Sequence, residues 1–153
     1  MKKKVVVFMG AFLLLSGALY AQKEIISTDK APVPVGPYSQ GVVSNGTVYL
    51  AGQVGISPIT KKLVEGGLEK EFAQIMENIR AVLAARGMNL SQVVNTTIYM
   101  KDLSQFGKVN ELYATYFTKN YPARTTVGVA DLPVGASIEV AVIASTTVLK
   151  RKK

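Results

Sequence analysis

The sequence predicts an α+β fold in which one mixed β-sheet carries two helices on the same face. The first observation is the order of β-rich and helical patterns along the chain, which is β-β-α-β-α-β-β. The second is the pair Asn45-Gly46 between the first two β-rich runs, because both residues tolerate the positive φ of a tight hairpin turn. A hairpin followed by alternating helices and strands favours one sheet with both helices packed on one face.

The first half of the chain contains the lead-in, the hairpin and the longer helix. Prolines punctuate residues 23–36, which predicts an extended lead-in. Short β-rich runs at 41–44 and 47–51 form the two strands of the hairpin. Apolar residues then recur with a helical period from Leu68, and Gly87 is suited to the C-terminal cap of this helix of about five turns.

The second half continues the alternation of strands and helices. Residues 93–100 are rich in β-branched side chains and predict a strand. Asp102 or Ser104 can cap a second amphipathic helix that runs to Phe117. Two further strands are predicted, at 125–129 and 138–149.

The last predicted strand is apolar on both of its faces. One face carries Ile138, Val140, Val142 and Ala144, and the other carries Ser137, Glu139, Ala141 and Ile143. Two helices on one side leave the second sheet face without a cover. The sequence therefore predicts that copies of this chain associate and bury that face.

The composition excludes several chemistries. The 153 residues include no Cys and no His, so the chain has no Ser-His-Asp or Cys-His nucleophile, no zinc site of His or Cys ligands, and no disulfide. The functional groups that remain are carboxylates, Lys, Arg, Tyr, Ser, Thr and the backbone.

The N-terminus resembles a secretory signal. Lysines at 2–4 precede the apolar stretch 5–20, and small residues follow before Gln22. The alternative is a retained membrane anchor, but this stretch is shorter than the roughly 20 residues of a spanning helix. We expect residues 1–21 to be a signal peptide and residues 22–153 to form a single domain that is periplasmic or secreted, with no stable membrane anchor after cleavage.

Most of the positive charge lies at the two ends of the chain. The formal net charge is +8, from 18 Lys and Arg against 10 Asp and Glu. The leader and the short basic tail at 150–153 carry most of this excess, so the body is near neutral. Because the body has no basic stripe, the sequence predicts that the protein has no nucleic-acid partner.

Two charged residues are candidates for a functional site. Glu139 stands inside an apolar strand, where a carboxylate needs a hydrogen bond or a paired charge. Arg124 lies at the mouth of a strand, where its planar guanidinium can hold a small carboxylate through two parallel bonds. Each has an ordinary alternative, since Glu139 can face water at a sheet edge and Arg124 can form a surface salt bridge. Likewise, Tyr38 can be a packing residue and Gly52 a bulge.

Five short motifs occur in order along residues 24–148. They are Ala31-Pro32 with Gly36-Pro37-Tyr38-Ser39-Gln40, Ala51-Gly52-Gln53, Asn110-Glu111-Leu112-Tyr113, Pro122-Ala123-Arg124-Thr125, and Ile138-Glu139-Val140 with Ile143-Ala144. In this order they resemble the RidA/YjgF family of reactive-intermediate deaminases. The resemblance implies a chorismate-mutase-like α+β domain, assembled as a homotrimer with a cleft at each subunit interface.

The resemblance also implies a reaction and a set of site residues. The reaction is hydrolysis of a 2-imino acid, or its enamine tautomer, to a 2-keto acid and ammonia, without metal or cofactor. Arg124 would hold the substrate carboxylate, and Glu139 would position or activate a water. Tyr38, Gly52 and Asn110 would be further substrate-binding positions. An imine carbon is already electrophilic, so holding it beside an oriented water supplies much of the acceleration.

Two departures from the family pattern and several alternatives stay open. Many members carry Cys where this chain has Thr126, and a second Glu where it has Ala141. We expect both to change the lining of the cleft and not to remove the site. The main alternative function is a non-catalytic trimeric module that binds small carboxylates or protects other proteins. RNA cleavage, attached to some members, has little support in a body without a basic stripe.

Overall fold

The computed structural model describes residues 23–147, which form one six-stranded mixed sheet with two helices. The predicted leader, residues 1–21, and the basic tail at 150–153 lie outside the described residues. The strand order across the sheet is β1-β2-β3-β6-β4-β5. In chain order the elements are β1 (Glu24–Ile26), β2 (Gly41–Ser44), β3 (Thr47–Leu50), α1 (Gly67–Ala84), β4 (Val93–Met100), α2 (Phe106–Tyr116), β5 (Ala123–Gly128) and β6 (Ile138–Ser145).

The predicted hairpin is confirmed, but it is not the first element of the sheet. β2 and β3 pair antiparallel around a turn in which Asn45 has φ 47° and Gly46 has φ 73°. The segment 24–26, predicted as part of an extended lead-in, pairs with β2 as the edge strand β1. The sequence of this strand, Glu-Ile-Ile, does not alternate between polar and apolar residues, and only Ile26 is buried. No pattern in the sequence therefore marks it as a strand.

The longer helix, α1, lies in the predicted position. Its apolar residues Phe72, Ile75, Ile79, Val82 and Leu83 are fully buried. Gly87 has φ 67°, and the Met88 N–H donates to the Leu83 carbonyl over 3.0 Å. This bond closes the helix with a left-handed glycine, as the sequence predicts.

The second helix begins with a single 3-10 turn, Leu103–Gln105, that leads into α2. Asp102 caps this turn, because its carboxylate accepts the Ser104 N–H over 2.9 Å. Of the two caps that the sequence allowed, Asp102 is therefore the one used. Neither helix in residues 23–147 has an apolar stretch long enough to cross a bilayer.

Both helices share one core with a single face of the sheet, which confirms the predicted α+β architecture. On β6, the side chains at alternating positions 138, 140, 142 and 144 are almost completely buried. The intervening side chains, including Glu139, Ala141 and Ile143, are only partly buried. Tyr49 and Val127 lie on the same open face and are exposed. Within residues 23–147, nothing covers the second sheet face.

Candidate active site

Arg124 lies on the helix-covered side of β5, within reach of α2. β5 runs parallel to β4, and Arg124 is paired with Thr96, whose side chain is fully buried. The guanidinium donates through Nη2 to the Asn110 amide oxygen. Its Cζ also lies 4.8 Å from the Tyr113 ring centroid and 5.6 Å from that of Phe106. One amide and two aromatic rings therefore orient this cation.

The ring beneath the guanidinium is itself fixed. Tyr113 is buried, and its hydroxyl is 3.0 Å from Thr96 Oγ1. Burial raises the pKa of Tyr113 above its usual value, which keeps the phenol neutral. Burial and the contact of its hydroxyl with Thr96 fix the Tyr113 ring, which therefore supports Arg124 rigidly.

Arg124 makes no ion pair with a carboxylate among residues 23–147. Its remaining N–H donors border an open cleft lined by Asn110, Tyr113, Ala114, Tyr121 and Pro122. A half-buried guanidinium without a counter-ion is suited to bind an anion with two parallel hydrogen bonds.

Glu139 lies on the open face of β6 and rests against Gly52. The residue after Gly52 is bridged to β6, since Gln53 and Val140 exchange backbone hydrogen bonds of 2.9 and 3.0 Å. A Cβ atom at position 52 would overlap Glu139 Oε1. The glycine therefore leaves room for the close approach of a carboxylate, and not for a bulge between two backbones.

The Glu139 carboxyl group is partly shielded from water. Partial burial raises its pKa, and desolvation is the only cause. Within residues 23–147 it makes no hydrogen bond or ion pair that would offset this desolvation. A carboxylate with a raised pKa and free lone pairs can act as a general base toward a bound water.

Tyr38 borders the same recess as Gly52. The two residues line it together with Gln40 and Val54. The Tyr38 side chain is largely exposed, so it is not the core residue that one interpretation of the sequence allowed. The buried Gln40 supports this recess from behind, because its amide donates to the carbonyls of Thr28 and Pro32 over 2.9 Å each.

The structure thus separates the predicted site residues into two groups. Asn110 and Arg124 form the first, while Tyr38, Gly52 and Glu139 form the second. Along β4, the partner of Arg124 is Thr96 and the partner of Glu139 is Tyr99. Because side chains alternate along a strand, positions three apart point to opposite faces. A single chain does not bring the two groups together.

Comparison with known proteins identifies the family. The model of the family described as endoribonuclease L-PSP matches residues 28–146. The chain belongs to this RidA/YjgF family. A RutC family protein of Pyrococcus horikoshii is 43% identical over 122 residues, which cover 80% of this chain and 97% of that protein. A rat protein named 2-iminobutanoate/2-iminopropanoate deaminase is 44% identical over 122 residues, covering 80% of this chain and 89% of the relative.

The fold agrees with solved structures of RidA/YjgF relatives. The crystal structure of YyfA from Yersinia pestis, described as a Rid family protein of unknown function, superimposes with a TM-score of 0.79. Its sequence is 43% identical, and the match covers 81% of this chain and 99% of that one. The α+β fold predicted from the sequence is therefore that of the RidA/YjgF family.

Sequence reasoning did not assign a role to two residues that contact Arg124. Tyr113 supports Arg124 from below, and Phe106 covers it from the start of α2. Their spacing from Asn110 indicates that they lie beside it, since positions three and four apart on a helix share a face. Once Asn110 was singled out, Tyr113 and Phe106 could have been predicted as its neighbours.

Proposed function

We propose that this protein hydrolyses 2-imino acids, or their enamine tautomers, to 2-keto acids and ammonia. The observation that carries the proposal is Arg124, a guanidinium oriented by Asn110 and Tyr113 but without a counter-ion among the described residues. The rat relative named 2-iminobutanoate/2-iminopropanoate deaminase supports the same reaction class. Arg124 would hold the substrate carboxylate, which is the group that all 2-imino acids share.

The complete site would be shared between neighbouring copies in a homotrimer. Arg124 and Glu139 lie on opposite sides of the sheet, and the Glu139 side is the uncovered face. If that face packs against the β5 edge of a second copy, Glu139 of one chain meets Arg124 of the next. Burial of the apolar open face would stabilise the assembly.

The reaction would use Glu139 as the proton carrier. Water held by the carboxylate attacks C2 of the imine: the C–O bond forms as the C=N π bond breaks, one water proton passes to Glu139, and the nitrogen takes a proton from solvent. Glu139 then returns its proton to the amino group of the carbinolamine, the C–N bond breaks with release of ammonia, and the C=O bond forms as the hydroxyl proton passes to solvent. Tyr38 and the backbone at Gly52 would confine the substrate. The main contribution is proximity of an oriented water, with modest acid-base help.

A coupled assay tests this proposal. An amino-acid oxidase generates the imine in situ, and the protein accelerates the loss of its semicarbazone adduct. Arg124→Ala should abolish this acceleration without changing the assembly measured by light scattering. Arg86→Ala is the matched control, because Arg86 forms an exposed ion pair with Glu24 and should leave the rate unchanged. If wild-type protein gives no acceleration but small 2-keto acids raise its melting temperature, the non-catalytic binding function replaces this proposal.

We further propose that the protein acts outside the cytoplasm after removal of residues 1–21. The support is the lysine-flanked apolar stretch at 2–20. The intact mass of the protein purified from cell fractions tests this. A periplasmic or secreted species that begins near Gln22 is expected, and a full-length cytoplasmic species would contradict export.

A further inference from the structure

The Thr126 hydroxyl is a buried polar group without a partner. Among residues 23–147, Thr126 Oγ1 is the one buried side-chain oxygen or nitrogen that makes no hydrogen bond. Native proteins pair nearly all such atoms, because an unpaired buried hydroxyl loses its water and gains nothing in return. An exception in a native fold calls for a physical reason.

The surroundings of Thr126 explain why it has no partner within the chain. It lies on the helix-covered side of β5, paired with the fully buried Ile98 of β4. Its two neighbours on the same face, Arg124 and Gly128, are each covered by an apolar side chain, one at the start of α2 and one in the 3-10 turn before it. Phe106 lies 5.6 Å from the Arg124 guanidinium, and Leu103 is so close that a Cβ on Gly128 would lie 2.8 Å from it.

Thr126 is also adjacent to the proposed anchor for the substrate. It follows Arg124 by two residues on one face of a strand, so their Cα atoms are about 7 Å apart. The covering side chains are not locked in the core, since Phe106 is 42% exposed and Leu103 is 50% exposed. Rotation about χ1 of Thr126 exchanges its hydroxyl and methyl group, which are nearly equal in size. A ligand that displaced these side chains would therefore meet the Thr126 hydroxyl.

We propose that the Thr126 hydroxyl hydrogen-bonds to a polar side-chain group of an imino acid whose carboxylate is held by Arg124. This inference rests on the proposed function and names a substrate class for it. The site would prefer imino acids with an amide or hydroxyl side chain to apolar ones of the same shape. A site built to pair a polar group discriminates strongly against an analogue that lacks it.

The proposal makes predictions of opposite sign for stability and binding. Valine has nearly the shape of threonine and lacks the unpaired oxygen, so Thr126→Val should raise the urea midpoint of the free protein. The same substitution removes the partner of the polar ligand group and should weaken its binding. If the hydroxyl had only a structural role, Thr126→Val could change the urea midpoint but would not selectively weaken the binding of the polar ligand.

Two stable carboxylates of the same shape serve as probes. Succinamate ends in an amide, and 4-methylpentanoate ends in an isopropyl group. Titration calorimetry on the full assembled protein should show tighter binding of succinamate. Thr126→Val should weaken the binding of succinamate about tenfold and leave the binding of 4-methylpentanoate unchanged. Thr126→Ser keeps the hydroxyl and should retain the preference, and Thr60→Val is the matched control at an exposed threonine in a turn outside the sheet.

Three results would overturn the role of Thr126. They are equal weakening of both probes, an unchanged preference in Thr126→Val, and failure of wild-type protein to bind either probe. Failure of the proposed function is distinguishable, because it shows as absent imine hydrolysis in wild-type protein. Selective binding of succinamate that depends on Thr126 would then still support the site and reject only the reaction.

Discussion

Arg124 and Glu139 point to opposite faces of the sheet within one chain. Arg124 projects from β5 toward α2, while Glu139 projects from β6 toward the uncovered face. Their strands flank β4, so the two Cα atoms are separated by two strand spacings, about 10 Å, and by three residues along the strands, about another 10 Å. No rotamer change brings the two charged groups together. A reaction that uses both residues therefore requires a second copy of the chain.

Gly52→Ala should impair the reaction without unfolding the protein. The new methyl group would overlap the Glu139 carboxylate and force that flexible side chain to move. A displacement of about 1 Å at a reacting group lowers a rate by about 100-fold. The coupled imine assay measures this loss, and circular dichroism checks the fold.

The matched control for Gly52→Ala is Gly107→Ala. Gly107 lies in α2 with no atom within 4 Å of the added methyl group. This substitution should keep full activity and slightly stabilise the helix. Full activity of Gly52→Ala would contradict the placement of Glu139 over Gly52 in the working protein.

The reaction should slow at acidic pH because of Glu139. Burial raises the pKa of its carboxyl group, and only the ionised form accepts a proton from water. The rate should therefore fall as the pH drops through this raised pKa, at a higher pH than for an ordinary glutamate. Glu139→Gln should lower the rate and remove this acid limb, which a pH profile of kcat/KM measures. An acid limb that persists in Glu139→Gln would assign it to another group.

The same pKa shift has a consequence for stability. A raised pKa means that the folded protein binds the Glu139 proton more tightly than the unfolded chain does. The stabilisation from this proton is complete below the unfolded pKa and is lost as the pH rises through the folded one. Glu139→Gln should therefore raise the urea midpoint at neutral pH, and this gain should disappear as the pH falls through that window.

Asn110→Asp should weaken substrate binding more than Asn110→Ala. Asn110 accepts a hydrogen bond from the Arg124 guanidinium, so an aspartate there would form an ion pair that competes with the substrate carboxylate. We expect KM to rise about tenfold in Asn110→Asp and less in Asn110→Ala. Steady-state kinetics on one imine compares the two variants. A KM that is equal in both would argue against Arg124 as the carboxylate anchor.

Val134→Asn should stabilise the protein. Val134 has φ 56° and is 65% exposed, so a β-branched residue adopts the left-handed region without a compensating burial. Asparagine tolerates this region, and we expect the free energy of unfolding to rise by about 1 kcal/mol. Val33→Asn is the control, because Val33 is 66% exposed and does not have a positive φ. Urea denaturation that gives both variants the same midpoint would contradict strain at position 134.

Local sequence patterns predicted the elements that local physics determines. The apolar period of α1, the left-handed cap at Gly87 and the turn at Asn45-Gly46 depend on residues close together in the chain. The sequence does not predict β1, because three residues are too few to show the alternation of a strand. Its extended conformation depends on its pairing with β2. The end of β6 was predicted at 149, whereas the strand ends at Ser145.

The site was only partly predictable because its geometry depends on long-range pairing. Arg124 and Glu139 stood out by their chemistry within apolar strands. Their relative orientation depends on the registers of β5 and β6 against β4, which no local pattern encodes. Likewise, the close approach of Glu139 to Gly52 follows from the bridge between Gln53 and Val140, which lie far apart in sequence.

Mixed assembly of two inactive variants tests the shared site most directly. Arg124→Ala and Glu139→Gln chains, carrying different affinity tags, are co-expressed, and mixed assemblies are purified through both tags and assayed for imine hydrolysis. In a three-chain ring that takes Arg124 from one chain and Glu139 from its neighbour, every mixed assembly has one intact site, so about a third of its sites are restored. We therefore predict that mixed assemblies regain substantial activity while each variant alone stays inactive. Mixed assemblies as inactive as the separate variants would contradict a site shared between neighbouring chains.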